Sequence, residues 1–242
     1  MVTEIRNAQG ERLDFTYHHG RENSKQIALI GHGVTGNKDR PFVVALAEGL
    51  AKDGISTVRF SFSGNGTSQG RFSESTVTKE VADLGSVIDS FKDREVAYVG
   101  HSMGGAVGVL RAASDARIKA LVSLAGMVHT KAFAEREFGM VKAGEGFMWD
   151  DTNCPLSQTY MDDMARIGSV VDQGAKIRVP WLLVHGTEDD VVPLQDSLDM
   201  FARANDPKEL VKLPGANHVF AGEHTAPMVQ TVGNWLKARF KI

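Results

Sequence analysis

The sequence predicts an α/β protein built on an open, doubly wound and mostly parallel β-sheet. Short apolar runs alternate with helical patterns along most of the chain, which is typical of repeated βαβ units. Several of these runs are too continuously apolar for a strand with one face in water, so we expect them to be buried on both faces. The length of 242 residues fits a single domain of this class.

Six apolar or β-branched runs are predicted to be strands of the sheet. They are Gln26 to Ile30, Ile55 to Phe62, Val96 to Val99, Ala120 to Leu124, Trp181 to Val184 and Leu210 to Leu213. Before them, the segments Thr3 to Asn7 and Arg12 to Tyr17 flank a turn at Gly10. This arrangement predicts a hairpin on one edge of the sheet.

Helical periodicity occupies the intervals between the strands. The first helix is predicted over Phe42 to Leu50, because Pro41 suits a first helical turn and Gly54 suits a helix end. Further helices are predicted over Val81 to Phe91, over Val107 to Ala113 and from near Thr225 onwards.

The segment 127–178 interrupts the alternation, because it contains no convincing strand and carries aromatic residues among scattered glycines and acids. We predict that it forms a partly helical cap, and that residues 1–126 and 179–242 form the core of the domain. The aromatic residues either line a site or form a small core of their own. They are Phe133, Phe138, Phe147, Trp149 and Tyr160.

Charge and composition argue against several classes of protein. The 27 lysines and arginines nearly balance 30 aspartates and glutamates, and a net charge of −3 is too small to indicate a nucleic-acid partner. No apolar run approaches the roughly 18 residues of a membrane-spanning helix. The single cysteine, Cys154, excludes an internal disulfide, and residues 1–10 lack the pattern of a secretory leader, so we expect a cytoplasmic protein.

The pattern Gly-X-Ser-X-Gly occurs twice, and sequence context separates the two copies. A nucleophile elbow needs a strand that turns sharply into a helix, which lifts the serine hydroxyl above the sheet. The copy at Gly100 to Gly104 follows the apolar run ending at Val99 and continues into a helix of small residues, so Ser102 is the candidate nucleophile. The copy at Gly66 to Gly70 lies among loop residues, so Ser68 is expected in a glycine-rich surface loop.

A serine nucleophile needs a base within hydrogen-bond reach and an acid that orients the base. Asp189 and His218 each follow a predicted strand, and the carboxyl ends of parallel strands are where catalytic groups gather. Together with Ser102 they stand in a chain order known for triads on α/β sheets. The alternatives for the acid and the base are Glu188, Asp190 and His224.

Two histidines beside the candidate triad, His101 and His185, are expected to be structural side chains with satisfied hydrogen bonds. Surface or packing roles are expected for His18, His19 and His129.

Two backbone amides are predicted to stabilise an oxyanion beside Ser102. One belongs to Met103, which follows the serine, and the other belongs to Val34, in the loop after the first strand of the predicted parallel sheet. The donors are backbone groups, so side-chain identity matters little at either position.

The same loop keeps a dinucleotide-binding oxidoreductase open as an alternative. Gly31, Gly33 and Gly36 spell the G-x-G-x-x-G fingerprint between a strand and a helix. An NAD site would also need an acid at the end of the next strand, where this chain has Ser61, although Arg59 leaves an opening for a 2′-phosphate.

In their order and spacing, these motifs resemble those of the α/β-hydrolase superfamily. They are His32 to Gly33, the loop from Gly64 to Gly70, GHSMGG from Gly100 to Gly105, HGTEDDVVP from His185 to Pro193, and the turn from Gly215 to His218. The short cap after Leu124 and the run from Arg59 to Phe72 are similar to small bacterial carboxylesterases that include cinnamoyl and feruloyl esterases. Val34 departs from the pattern, because many relatives carry a larger or aromatic residue there.

The resemblance implies an α/β-hydrolase fold and a serine esterase that uses Ser102, Asp189 and His218. It implies a small-molecule ester substrate and no metal or organic cofactor, with Phe147 and Trp149 of the cap as candidate substrate contacts. Monoacylglycerol lipase-like and serine aminopeptidase-like enzymes share much of the pattern and remain alternatives. A non-catalytic, ligand-binding protein of the same fold also remains open.

Overall fold

The computed structural model describes residues 2–241, and a seven-stranded sheet forms its centre. Strands β1 to β9 span Ile5–Arg6, Arg12–Leu13, Phe15–His18, Gln26–Gly31, Ser56–Phe60, Glu95–His101, Ile118–Leu124, Trp181–Gly186 and Lys208–Leu213. Helices α1 to α7 span Pro41–Lys52, Val77–Ser90, Met103–Ala112, Thr130–Phe138, Gln158–Ile167, Leu194–Arg203 and Thr225–Phe240.

The strands of the main sheet lie in the order β3-β5-β4-β6-β7-β8-β9. All neighbours are parallel except β3, which runs antiparallel to β5 at one edge. Each parallel connection passes through a helix or a longer segment, as βαβ units require. The predicted mostly parallel, doubly wound sheet is therefore confirmed.

Helices cover both faces of the sheet, and alternate residues of one strand enter different cores. In β4, Ile27 and Leu29 belong to the cluster on the side of α2 and α3, whereas Ala28 and Ile30 belong to the cluster on the side of α1 and α7. Burial on both faces explains why the central strands read as continuous apolar runs rather than as alternating patterns.

The N-terminal hairpin predicted on the sheet edge is only partly correct. Strands β1 and β2 pair with each other as a small separate ribbon, and β3 leaves them to pair with β5. The chain changes partner at Asp14, whose N–H donates to the Ser68 hydroxyl and whose carbonyl accepts from Ser61 N–H. If β3 had continued the hairpin with β2, the backbone N–H and C=O groups on the outer edge of β5 would have had no strand to pair with. Pairing of β3 with β5 satisfies these groups.

The segment 127–178 contains α4, α5 and two short 3₁₀ turns, Met148–Asp150 and Val171–Lys176, and no strand in its described residues. Its buried side chains include Phe133, Phe138 and Tyr160, and they join the same apolar cluster as α2 and α3. Three of the five aromatic residues thus pack inside the protein. The division of the chain into a core and a cap stays a prediction.

Asp163 connects this segment to the core. Its side chain is almost fully buried, and its two oxygens accept from the Thr78 N–H at 3.0 Å and the Thr78 hydroxyl at 2.6 Å. Thr78 lies in the first turn of α2, where a carboxylate satisfies free amides and offsets the helix dipole. Arg166 of α5 pairs with the same carboxylate. Asp163 therefore clamps α5 onto the start of α2.

Asp163→Ala is expected to lower the free energy of unfolding by about 1–2 kcal/mol, because it removes the carboxylate that caps the first turn of α2 and pairs with Arg166. Urea denaturation measures this change. Asp162→Ala is the matched control, since Asp162 is exposed and should change stability by only about 0.5 kcal/mol or less. Equal effects of the two substitutions would contradict the clamp.

Candidate functional site

The candidate site residues gather at the carboxyl edge of the parallel sheet. Val34 follows β4, Ser102 follows β6, Asp189 follows β8 and His218 follows β9. Strands β4 and β6 are neighbours, as are β8 and β9. The loops that follow these strands therefore emerge side by side, although the chain places them up to 184 residues apart (218 − 34).

Ser102 occupies a strained turn between β6 and α3. Its backbone has φ 54° and ψ −120°, a conformation that side-chain-bearing residues rarely adopt. Its N–H donates to the Leu124 carbonyl at 3.0 Å, and its carbonyl accepts from Met127 N–H at 3.1 Å. The end of β7 thus holds the turn in place, which is the geometry of the predicted nucleophile elbow.

Glycines around the elbow permit very close backbone packing. A Cβ on Gly33 would lie 2.7 Å from the Ser102 Cβ, and a Cβ on Gly104 would lie 2.5 Å from the His32 carbonyl oxygen. Side chains at either position would therefore push the β4 loop away from the serine.

The same packing accounts for the glycine fingerprint that kept a dinucleotide site open. Gly33 contacts Ser102, and a Cβ on Gly31 would lie 2.2 Å from the Tyr98 hydroxyl oxygen. Arg59 is also occupied, because it donates to the Lys38 carbonyl and pairs with Asp39. Gly31, Gly33 and Arg59, which suggested a site for a cofactor phosphate, therefore make packing and hydrogen-bond contacts within the protein.

Asp189 and His218 form a direct hydrogen bond. His218 Nδ1 lies 2.8 Å from Asp189 Oδ2, and the Asp189 side chain is fully buried. The amides of Val191 and Val192 donate to the other carboxylate oxygen at 2.9 and 2.8 Å. The sequence alternatives, Glu188 and Asp190, are exposed. Only Asp189 of the three acids holds the histidine.

The buried His185 contacts the same carboxylate. Its Nε2 lies 2.9 Å from the Val192 carbonyl oxygen and 3.2 Å from Asp189 Oδ2, while its Nδ1 lies 2.7 Å from the Ser197 hydroxyl. Burial acts to raise the pKa of Asp189, but the hydrogen bonds from His185, His218 and the Val192 amide together hold it well below its usual value. Asp189 is therefore ionised, and His185 has the structural role predicted for it.

His101 fixes the backbone of the His218 loop. Its Nε2 donates to the His218 carbonyl at 2.9 Å, and its ring packs between those of Phe42 and His218. Burial lowers the pKa of His101 to about 3, with the nearby His218 acting in the same direction, so the imidazole is neutral. The predicted structural role of His101 is also observed.

His32 connects the loops after β4 and β5. Phe62 N–H donates to its Nε2 at 3.1 Å, so its proton is on Nδ1, which donates to the Gly33 carbonyl at 2.8 Å. Burial lowers the pKa of His32 to about 4. A neutral ring therefore holds the loop that carries Val34, and the His-Gly pair was the only feature of the sequence that pointed to this role.

The two predicted oxyanion donors lie next to the serine and have free amides. Met103 is the first residue of α3, where an N–H has no partner within the helix. Val34 lies in the loop beside Ser102. In residues 2–241, neither amide donates to another group of the protein.

Ser102, His218 and Val34 line one cavity of about 340 Å³, and most of its surface is apolar. Trp149 lines it as well. Other lining residues that the sequence analysis did not single out are Thr35, Arg40, Phe42, Val191 and Val219. Val191 lies in the acid loop two residues after Asp189, and Val219 directly follows His218, so their positions were a usable signal. Arg40 and Phe42 carried no such signal.

Of the two cap residues expected to contact substrate, the structure brings Trp149 to the cavity but not Phe147. Trp149 is 45% exposed, its Nε1 donates to Glu137 at 3.1 Å, and its ring packs edge-on against Phe138. Phe147 is 37% exposed and is absent from the lining of the cavity.

The remaining candidates lie away from the cavity. His224 precedes α7 and does not line it. Ser68 sits in a loop, as predicted, where its hydroxyl donates to the Ser61 carbonyl. Among residues 2–241, no three histidine, cysteine or acidic side chains form a metal-binding group. No helix in that range is long and apolar enough to cross a membrane.

Comparison with known proteins gives several relatives of similar architecture. Est1E from Butyrivibrio proteoclasticus, in a structure with ferulic acid bound, superposes with a TM-score of 0.86 and 25% identity over 100% of both chains. The uncharacterized protein YfhR of Salmonella typhimurium is 27% identical over 222 residues, which cover 84% of this chain and 68% of that protein.

A third relative is named for a different ester chemistry. The mitochondrial palmitoyl-protein thioesterase ABHD10 of Bos taurus is 26% identical over 188 residues, covering 71% of this chain and 59% of that protein. A sequence model described as the alpha/beta hydrolase family matches residues 27–231, which include the elbow, the acid loop and the histidine loop. The chain is therefore a hydrolase-fold protein that belongs to the alpha/beta hydrolase family.

Proposed function

We propose that this protein is a serine hydrolase that cleaves carboxylic esters of small molecules through an acyl-enzyme on Ser102. The observation that carries the proposal is the convergence of a strained serine elbow and an Asp189-bound His218 on one apolar cavity. The esterase and thioesterase relatives support the same class of reaction.

Each residue has a defined part in the proposed reaction. His218 removes the proton from the Ser102 hydroxyl as the serine oxygen attacks the ester carbonyl, and then gives that proton to the departing alcohol. The Val34 and Met103 amides hold the oxyanion. Asp189 keeps the His218 proton on Nδ1, so that Nε2 is free to act as the base. Water, deprotonated by His218, then releases the acid.

The mostly apolar lining of the cavity supports an ester with an apolar acyl or alcohol part as substrate. Esters of hydroxycinnamic acids such as ferulic acid are one candidate, because the Est1E structure holds ferulic acid. Thioester cleavage is a second candidate function, favoured by the likeness to ABHD10. We also propose a cytoplasmic location, since Cys154 is a buried free thiol and no disulfide is available.

Ser102→Ala is expected to lower kcat roughly a thousandfold or more on every ester hydrolysed, because it removes the atom that forms the acyl-enzyme. Initial rates on p-nitrophenyl esters, methyl ferulate and an acyl thioester measure this effect and rank the two candidate functions. Ser68→Ala, in the other Gly-X-Ser-X-Gly copy, is the matched control and should keep its activity. Near-normal activity in folded Ser102→Ala would falsify the nucleophile assignment.

Asp189→Asn is expected to reduce kcat by roughly a thousandfold or more, because the amide no longer fixes the His218 tautomer. Asp190→Asn changes the exposed neighbour and should leave kcat within a few-fold of wild type. Steady-state kinetics on the best ester distinguish the two. A larger loss in Asp190→Asn than in Asp189→Asn would reassign the acid.

Trp149→Ala and Phe147→Ala test how the cap takes part. Trp149 lines the cavity, so its truncation should change the ratio of kcat/KM between a bulky and a small ester by about tenfold. Phe147→Ala should leave that ratio unchanged, although it can lower the melting temperature. Comparing the two variants on one substrate pair checks this. Unchanged ratios in both would indicate that the cap aromatics only support the fold.

A further inference from the structure

A second, much smaller cavity adjoins the catalytic cavity. We call it the inner chamber; its volume is about 10 Å³, and Val34 and Thr35 line both cavities. Met103, the residue after the proposed nucleophile, also lines the inner chamber, together with Glu80 of α2 and Tyr160 of α5. A space of this size admits one group about as large as an oxygen atom.

Polar groups without partners concentrate around this chamber. In residues 2–241, five buried side-chain nitrogen or oxygen atoms have no hydrogen-bond partner, and three of them are the two Glu80 carboxyl oxygens and the Tyr160 hydroxyl. Both side chains are only 1% exposed. Buried polar groups normally have partners because leaving them unpaired costs free energy. Three such atoms beside one chamber therefore point to a polar ligand atom there.

The chemistry of the two side chains defines the ligand. Burial raises the pKa of Glu80 well above its usual value, and the nearby Asp83 and Asp163 add to this effect. Burial likewise raises the pKa of Tyr160 above its usual value. A protonated carboxyl and a phenol each donate and accept one or more hydrogen bonds. They match a neutral hydroxyl or carbonyl oxygen rather than an ion.

The position of the chamber indicates which part of the substrate reaches it. Val34 and Met103 supply the proposed oxyanion donors, so the chamber lies beside the ester carbonyl. The departing alcohol lies near His218, which protonates it, and the cavity is bordered there by the partly exposed Val219. In an ester, the acyl group and the departing alcohol are different substituents of the carbonyl carbon, so an acyl group would extend away from His218. Asp163 of α5 is bonded to Thr78 of α2. This contact holds the helices that carry Glu80 and Tyr160 in a fixed position relative to each other.

We propose that the inner chamber is the polar end of the acyl subsite, where Glu80 and Tyr160 bind a hydroxyl or carbonyl oxygen of the acyl group. The proposal rests on the proposed ester hydrolysis and names its substrate class as oxygenated acyl esters. A plain alkyl chain of equal length is disfavoured, because its terminal methyl group leaves the buried carboxyl and phenol unpaired.

The test compares kcat/KM for a series of methyl alkanoates with that for the ω-hydroxy ester of each chain length. At the length that reaches the chamber, the wild-type enzyme should prefer the hydroxylated ester by about tenfold or more. Glu80→Leu should abolish this preference. Glu80→Gln should retain most of it, since a neutral amide also donates and accepts. Tyr160→Phe removes one hydroxyl without changing shape and should weaken the preference.

Three outcomes would overturn the proposal. One is a wild-type enzyme with no preference at any chain length, as expected if the chamber holds only water. Another is a Tyr160→Phe or Glu80→Leu variant in which both esters slow by the same factor, which indicates a structural role. In both cases Ser102-dependent hydrolysis persists, so the proposed function stands. The third outcome is a wild-type enzyme that hydrolyses none of these esters faster than Ser102→Ala does, and it would contradict both the proposed function and this proposal.

Discussion

The turn at Ser102 is the constraint on which the rest of the site depends. A side-chain-bearing residue with φ 54° stays in that conformation only if its surroundings hold it there. Here β7 binds the backbone of the turn on one side, and glycine at position 33 lets the β4 loop approach on the other. The same close packing brings the Val34 loop beside the amide of Met103. The strained turn and the proposed oxyanion donors are thus one structural unit.

Buried histidines hold the loops around this unit. His32 connects the loops after β4 and β5, His101 holds the backbone of His218, and His185 donates to Asp189. An imidazole serves this purpose because a single ring can both donate and accept a hydrogen bond. Burial keeps His32 and His101 neutral, with pKa values of about 4 and 3. His32 and His101 also line the cavity, and His218 differs from them because its Nδ1 is bonded to the buried Asp189 carboxylate.

The segment 127–178 contributes side chains to the candidate site. Its buried aromatics share the apolar cluster of α2 and α3, and Asp163 bonds it to the start of α2. The segment supplies Trp149 to the cavity lined by Ser102 and His218, and Tyr160 to the inner chamber. Both cavities are therefore lined partly by this segment and partly by the rest of the chain, so their shape depends on the packing between the two.

The sequence by itself determined the features that depend on local pattern. Continuous apolar runs predicted the parallel strands, and the strand before Gly100 separated Ser102 from Ser68. The ends of two further strands indicated Asp189 and His218 because parallel strands present their carboxyl ends at one edge. Local pattern did not decide between adjacent candidates. Glu188, Asp189 and Asp190 are adjacent acids, and only the folded loop shows that the Asp189 carboxylate is the one turned inward. Likewise, only the folded chain shows that the Trp149 ring reaches the cavity and the Phe147 ring does not. Tertiary structure likewise decided that β3 pairs with β5 and that Glu80 and Tyr160, 80 residues apart in sequence (160 − 80), line one chamber. Both features depend on contacts between segments that are distant in the chain.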